Sequence, residues 1–160
     1  MKRKIFAVLA IGTIAIASCK KVEPTPATAP GTATAEGTLW ADLDIANDTD
    51  AFGWYQWNPE TAPSGIRVTA IVDSYDLDQT PDPSYDYQDL KYYATTDASG
   101  KYSIANIPCF NMPINVELMF NDFTADQKQS GTTTVSTNFS LGSAWITVYD
   151  GAVVINDFNY

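Results

Sequence analysis

The stretch TTDASGKYSIANIP, residues 95–108, sets the character of this 160-residue chain. An Asp followed three residues later by a Gly is turn chemistry. The carboxylate of Asp97 can accept backbone N–H groups of its own turn, and Gly100 tolerates the positive φ that closes a four-residue hairpin loop. Behind the turn, Tyr102 and Ile104 alternate with Lys101 and Ser103, the period-two pattern of a half-buried strand. A hairpin is therefore expected here, with Asp97 and Gly100 as shaping residues rather than reactive ones.

The same period extends outward in both directions. Leu39, Ala41, Leu43 and Ile45 alternate with Trp40, Asp42 and Asp44, and Ile66, Val68, Ala70 and Val72 lead a second apolar series. Ile114, Val116, Leu118 and Phe120 form another. A Thr-rich stretch at 132–139 and the segments 144–149 and 152–158 follow, the last two separated by Asp150-Gly151, which reads as a hairpin turn. No window carries a convincing amphipathic helix. Seven or eight short strands punctuated by Pro, Gly and Asn predict an all-β fold, a single antiparallel β-sandwich of Greek-key type.

The phrase at 95–108 also resembles the carboxypeptidase regulatory-like domain, a transthyretin-type sandwich. Asp97, Gly100, Lys101, Tyr102, Ile104, Asn106 and Pro108 stand in matching places, and Pro63-Ser64-Gly65-Ile66-Arg67-Val68 is similar to that family's entry into an early strand. The resemblance covers about half of the domain and implies a transthyretin-like topology. The chain departs from the pattern at Cys109 and Phe110, where the family usually places a Gly, and in two long connections.

The N-terminus supplies an address. Lys2, Arg3 and Lys4 precede the apolar run Ile5 to Ala17, the layout of a secretory signal. Ile16-Ala17-Ser18-Cys19 resembles the cleavage box of bacterial lipoproteins. The resemblance implies a signal peptide at 1–18, and a Cys19 that carries diacylglycerol and palmitate-type acyl chains as the mature first residue and anchors the protein to a membrane. Lys20 is not the Asp that retains lipoproteins at the inner membrane of enteric bacteria, so the resemblance points to the outer membrane of a Gram-negative envelope, with periplasmic and surface faces both open. Residues 19–37, rich in Pro, Thr and Ala, read as a tether, leaving 38–160 as the sandwich domain.

Composition excludes several chemistries. Without residues 1–18 the chain keeps six basic and nineteen acidic residues, a net charge of −13, which argues against nucleic acid. There is no His, so Ser-His-Asp and Cys-His catalysis and His-containing zinc sites are absent. Cys109, flanked by Ile107-Pro108 and Phe110, reads as a small packed hydrophobe. The expectation is a non-catalytic protein with no resident cofactor.

Two long connections hold the candidate sites. In residues 47–65, Trp54, Tyr55 and Trp57 have the flat apolar faces that stack on sugar rings, with Asp48, Asp50, Gln56 and Asn58 as hydroxyl partners. The plainer reading, and the one preferred, folds these rings back as a lid or an extra strand. In residues 73–93, Asp73, Asp76 and Asp78 are candidate calcium ligands, although EF-hand spacing is lacking and a solvated acidic loop is preferred. Alternating strand directions place loop 47–65 at one end of the sandwich with turn 97–100 and residues 121–131. Loop 73–90 falls at the other end, beside 107–113. The functional expectation is a lipid-anchored scaffold presenting loops to a protein partner. A carbohydrate-binding module using the aromatic loop 52–57 is the alternative, and a calcium-stabilised adhesin domain the third reading.

Overall fold

The computed structural model describes residues 30–160; the segment expected as a signal peptide, Cys19 and most of the expected tether lie outside the described residues. The described residues form an all-β sandwich. Its strands are β1 (Gly31–Ala41), β2 (Glu60–Thr61), β3 (Arg67–Asp73), β4 (Asp89–Thr95), β5 (Lys101–Cys109) and β6 (Ile114–Phe120), then β7 (Phe123–Ser130), β8 (Thr133–Phe139), β9 (Ser143–Val148), β10 (Val153–Ile155) and β11 (Phe158–Asn159). Among the described residues helical structure is limited to two single 3₁₀ turns, Ile45–Asn47 and Ser74–Leu77.

One sheet runs in the order β4-β3-β6-β9, antiparallel throughout. Its register sets Val68 opposite Phe120, Ala70 opposite Leu118 and Val116 opposite Ile146, so the apolar member of each alternating pair falls on one face. The other sheet is built around β1, with β5 and β2 antiparallel to it. Its inward residues Ala33, Ala35, Leu39, Ala41, Ile104, Ile107 and Cys109 meet those of the first sheet in one core cluster. Cys109 is a buried free thiol whose pKa burial and the Asp150 carboxylate raise, in keeping with a packed hydrophobe.

Several expectations are corrected. First, the described sandwich already includes Gly31, ahead of the expected Thr38. Ala33 and Ala35 are buried, and β1 pairs with β5 from Gly31 onward. The linker-like sequence GTATAEG is a strand of alternating small residues. Small inward side chains let a neighbouring strand come close: a Cβ at Gly37 would overlap the Asn156 carbonyl.

Second, the sandwich is not wholly antiparallel, because β10 and β11 run parallel to β1. Third, Asp150-Gly151 forms a turn but not a hairpin. The Ala152 N–H donates to the Tyr149 carbonyl at 3.0 Å, with Gly151 at φ 75°. The chain then leaves the sheet of β9 and joins β1 in the opposite sheet, which bridges the two layers at this end. Residues 121–131, expected as a connection, are mostly strand β7, paired with β8 as a two-stranded ribbon.

Turn 97–100 forms, but not as the expected hairpin: β4 pairs with β3 and β5 with β1, so the turn carries the chain from one sheet to the other. Asp97 Oδ1 accepts the N–H groups of Ser99 (2.7 Å) and Lys101 (3.0 Å), and Gly100 adopts φ 68°. Those two bonds lower the pKa of Asp97. Gly100 lies against the Leu39 and Ala62 carbonyls, so the turn shares an end with the start and finish of the aromatic connection, as expected.

Candidate functional site: an aromatic loop on a carboxylate base

Residues 42–60 leave the end of β1 and return as β2. Four carboxylates organise the path by accepting backbone donors that no ladder satisfies. Asp44 Oδ1 accepts Ala46 N–H at 3.1 Å and starts the first 3₁₀ turn; its Oδ2 meets Lys128 Nζ at 2.9 Å. Glu60 Oε2 accepts the N–H groups of Leu43 and Asp44, both at 2.9 Å, and Oε1 accepts the Asn47 amide at 2.6 Å. Asp48, fully buried, accepts Asn58 N–H on Oδ1 at 2.9 Å, and its carbonyl accepts Gln56 N–H at 2.6 Å. Asp50 Oδ1 gathers the N–H groups of Phe52 (2.8 Å) and Trp54 (2.9 Å) around Gly53 at φ 84°.

The consequence is a loop whose backbone is tied inward while its rings point out. Phe52 is 87% exposed, Trp54 74%, Tyr55 66% and Trp57 50%. The lid or added strand expected for these rings is not what the structure shows. The polar loop residues take the inward positions beside β1 and β2, so the rings find no opening over the core. The exposed candidates Trp54, Tyr55 and Trp57 lie on one short segment, with Gln56 and Asn58 also exposed among them.

Beneath this loop lies a pair that the sequence did not single out. Asp42 Oδ1 and Asp48 Oδ2 are buried and without any hydrogen-bond partner. The two carboxyls lie within reach of each other. Burial, followed by the Asp48, Glu60 and Asp44 charges, raises the pKa of Asp42. The phenol of Tyr55 senses the same pair: partial desolvation and the Asp48 and Asp42 carboxylates raise its pKa. In the sequence Asp42 alternates as an outward residue of the first strand. It turns inward because β1 ends at Ala41.

The acidic connection 73–93 sits at the other end, as the strand order predicted. Asp76, Asp78 and Gln79 face residues 110–115 across a hollow of ≈ 620 Å³. Its carboxylates mostly serve the loop. Asp73 Oδ1 accepts Tyr75 N–H at 2.9 Å, and Asp78 accepts Thr80 N–H at 2.8 Å and the Tyr87 hydroxyl at 2.6 Å. These bonds lower the pKa of Asp78, while burial and the Asp73 charge raise that of Asp76. Tyr87 packs edge-on against Tyr75 and Tyr85, each at 5.1 Å. The trio Asp73, Asp76, Asp78 is not drawn together, and among the described residues no three His, Cys, Asp or Glu side chains form a metal-chelating group.

Comparison with known proteins finds no matching family model, no matching curated protein and no matching solved structure.

Proposed function

We propose that this protein is a lipid-anchored lipoprotein of the bacterial outer membrane and that its sandwich is a non-catalytic binding module. We further propose that Cys19 carries the lipid and that the domain is akin to carboxypeptidase regulatory-like sandwiches. The turn built by Asp97 and Gly100 and the box at residues 16–19 support this reading. The absence of His from the chain supports a binding role over nucleophilic catalysis.

The observation that carries the reading is the outward display of Trp54, Tyr55 and Trp57 on a braced loop. Exposing large rings is unfavourable by roughly 25 cal/mol per Å² of apolar surface, so a loop that holds four of them in solvent fits an occupant that covers them. Sugar rings suit it. Their C–H faces stack on indole and phenol, and Gln56, Asn58 and Asp50 supply hydrogen bonds at the rim. Titration of a panel of oligosaccharides should shift tryptophan fluorescence, and Trp54→Ala with Trp57→Ala should abolish the shift. A panel that leaves the fluorescence unmoved removes the glycan reading.

A protein partner is the second reading, favoured by Phe52. It is the most exposed of the four rings and has no polar edge for a sugar hydroxyl, whereas such a ring anchors well in an apolar pocket of a protein. A photo-reactive residue in place of Phe52 would then give one discrete cross-linked species on intact cells, and Asp50→Ala, which frees the turn, would reduce its yield.

A further inference from the structure

Five carboxylates crowd the base of the aromatic loop: Asp42, Asp44, Asp48, Asp50 and Glu60. Three of them are answered. Lys128 and the Ala46 N–H satisfy Asp44, three donors satisfy Glu60, and two backbone N–H groups satisfy Asp50. Asp42 Oδ1 and Asp48 Oδ2 have no close donor, although the Tyr55 phenol reaches toward Asp48, and Asp48 is completely buried. Two carboxylates side by side in such a place repel each other, and the repulsion grows as water is excluded. Among the described residues the cation at this base, Lys128, is committed to Asp44 and not to this pair.

We propose that a hard divalent cation of the calcium class bridges Asp42 and Asp48 and locks the base of the aromatic loop. Both donors are carboxylate oxygens, which is the chemistry such ions prefer. A proton between the two oxygens would cancel a single charge, and Glu60 and Asp44 would still add to the field; a divalent ion cancels two. Asp42 is only part-buried, so its side of the site admits the waters that complete the coordination shell. Two protein carboxylates plus water make a weak site, with a dissociation constant on the order of 10⁻⁴–10⁻³ M, the range of extracellular calcium modules. The site lies under the loop whatever the loop binds, and its test does not depend on a glycan or a protein partner.

The test is thermal unfolding of the folded chain at neutral pH in chelator and in about 5 mM calcium chloride. Calcium should raise the Tm by about 3–6 °C. Asp42→Asn should lose that response and melt higher than the unsubstituted protein in chelator, because the amide donates to Asp48 and removes one charge. Terbium luminescence sensitised by the nearby rings of the loop should appear with the unsubstituted protein and be lost in Asp42→Asn. Three results would overturn the proposal. One is a Tm indifferent to calcium. Another is an equal calcium response in Asp42→Asn, which moves the ion elsewhere. The third is a Tm raised by acidification to about pH 5 but not by calcium, which makes the bridge a proton.

Discussion

Asp48 and Asn58, ten residues apart, are joined by a 2.9 Å bond from the Asn58 backbone N–H to the buried carboxylate, and this bond closes the neck of the aromatic loop. The acceptor is charged and shielded from water, so its loss is costly. Asp48→Ala should destabilise the fold by about 1.5–3 kcal/mol in urea unfolding. Asp48→Asn keeps an oxygen for Asn58 and gives Asp42 a donor, so in chelator it should be at least as stable as the unsubstituted chain. An alanine variant with unchanged urea midpoint would show that the neck is held by something else.

The exposed rings should separate binding from stability. Phe52, Trp54, Tyr55 and Trp57 lie outside the core cluster, and alanine at any one of them should change stability by no more than about 0.5 kcal/mol. A lid would behave differently, since removing a buried Trp costs about 3–5 kcal/mol. Urea midpoints of the four single variants therefore distinguish a displayed ring from a packed one. Occupancy of the loop by its partner should reverse the ranking, with Trp54 and Trp57 mattering most.

Most of the sandwich was legible because burial on a pleated strand has period two. Val68, Ala70 and Val72, and again Val116 and Leu118, are fully buried in the places their alternation assigned. The Asn-x-Pro phrase was legible only as a family resemblance, and the structure supplies a physical cause. Between Ala33 and Ala35 the pairing with β5 slips, and Asn106 enters the left-handed region at φ 60°. That irregularity lets Ile104 and Ile107 both face the core despite an odd spacing. The first half of β1 was not legible, since Ala and Thr at a chain start look alike in a tether and in a strand. Nor was the Asp42–Asp48 pair, because it depends on where β1 stops and on how a loop folds back, neither of which has a period.

The presence of Gly31 in the sandwich has a direct consequence for truncation. A chain beginning at Thr38 loses Ala33 and Ala35 from the core and the partners of β10, Thr34 to Glu36. It should show no cooperative thermal transition, whereas a chain beginning at Pro30 should melt like the longer protein. Equal melting of the two would restore the tether to its expected length.

Gly37 offers a sharper test of the same strand. A Cβ there would run into the Asn156 carbonyl and the Tyr102 hydroxyl, both of which hold the C-terminal segment in place. Gly37→Ala should cost about 1–3 kcal/mol in urea unfolding, the usual scale of overpacking. The penalty should appear as weakened docking of residues 153–159, detectable as faster amide exchange there than in β3 or β6. Uniform exchange across the sheets would mean that the strain spreads instead of staying local.

Two tyrosines pin that C-terminal segment and should make it fail in alkali. Tyr102 donates to the Asn156 carbonyl at 2.9 Å and Tyr160 to the Asn121 carbonyl at 2.7 Å. Burial, reinforced by the Asp157 carboxylate, pushes the Tyr102 phenol far above its ordinary range. Burial and Asp122 push Tyr160 up to about 12. In the unfolded chain both titrate near 10, so the folded state holds protons that the unfolded state releases. The stabilisation is complete below about pH 10 and is lost as pH climbs toward about 12. Phenolate absorbance should therefore rise in two stages, the late one coinciding with loss of the β circular dichroism signal. Tyr160→Phe should cost about 1 kcal/mol at neutral pH through the missing hydrogen bond, yet its stability should fall less steeply between about pH 10 and about pH 12. An unchanged alkaline slope in that variant would move the weak point away from the C-terminus.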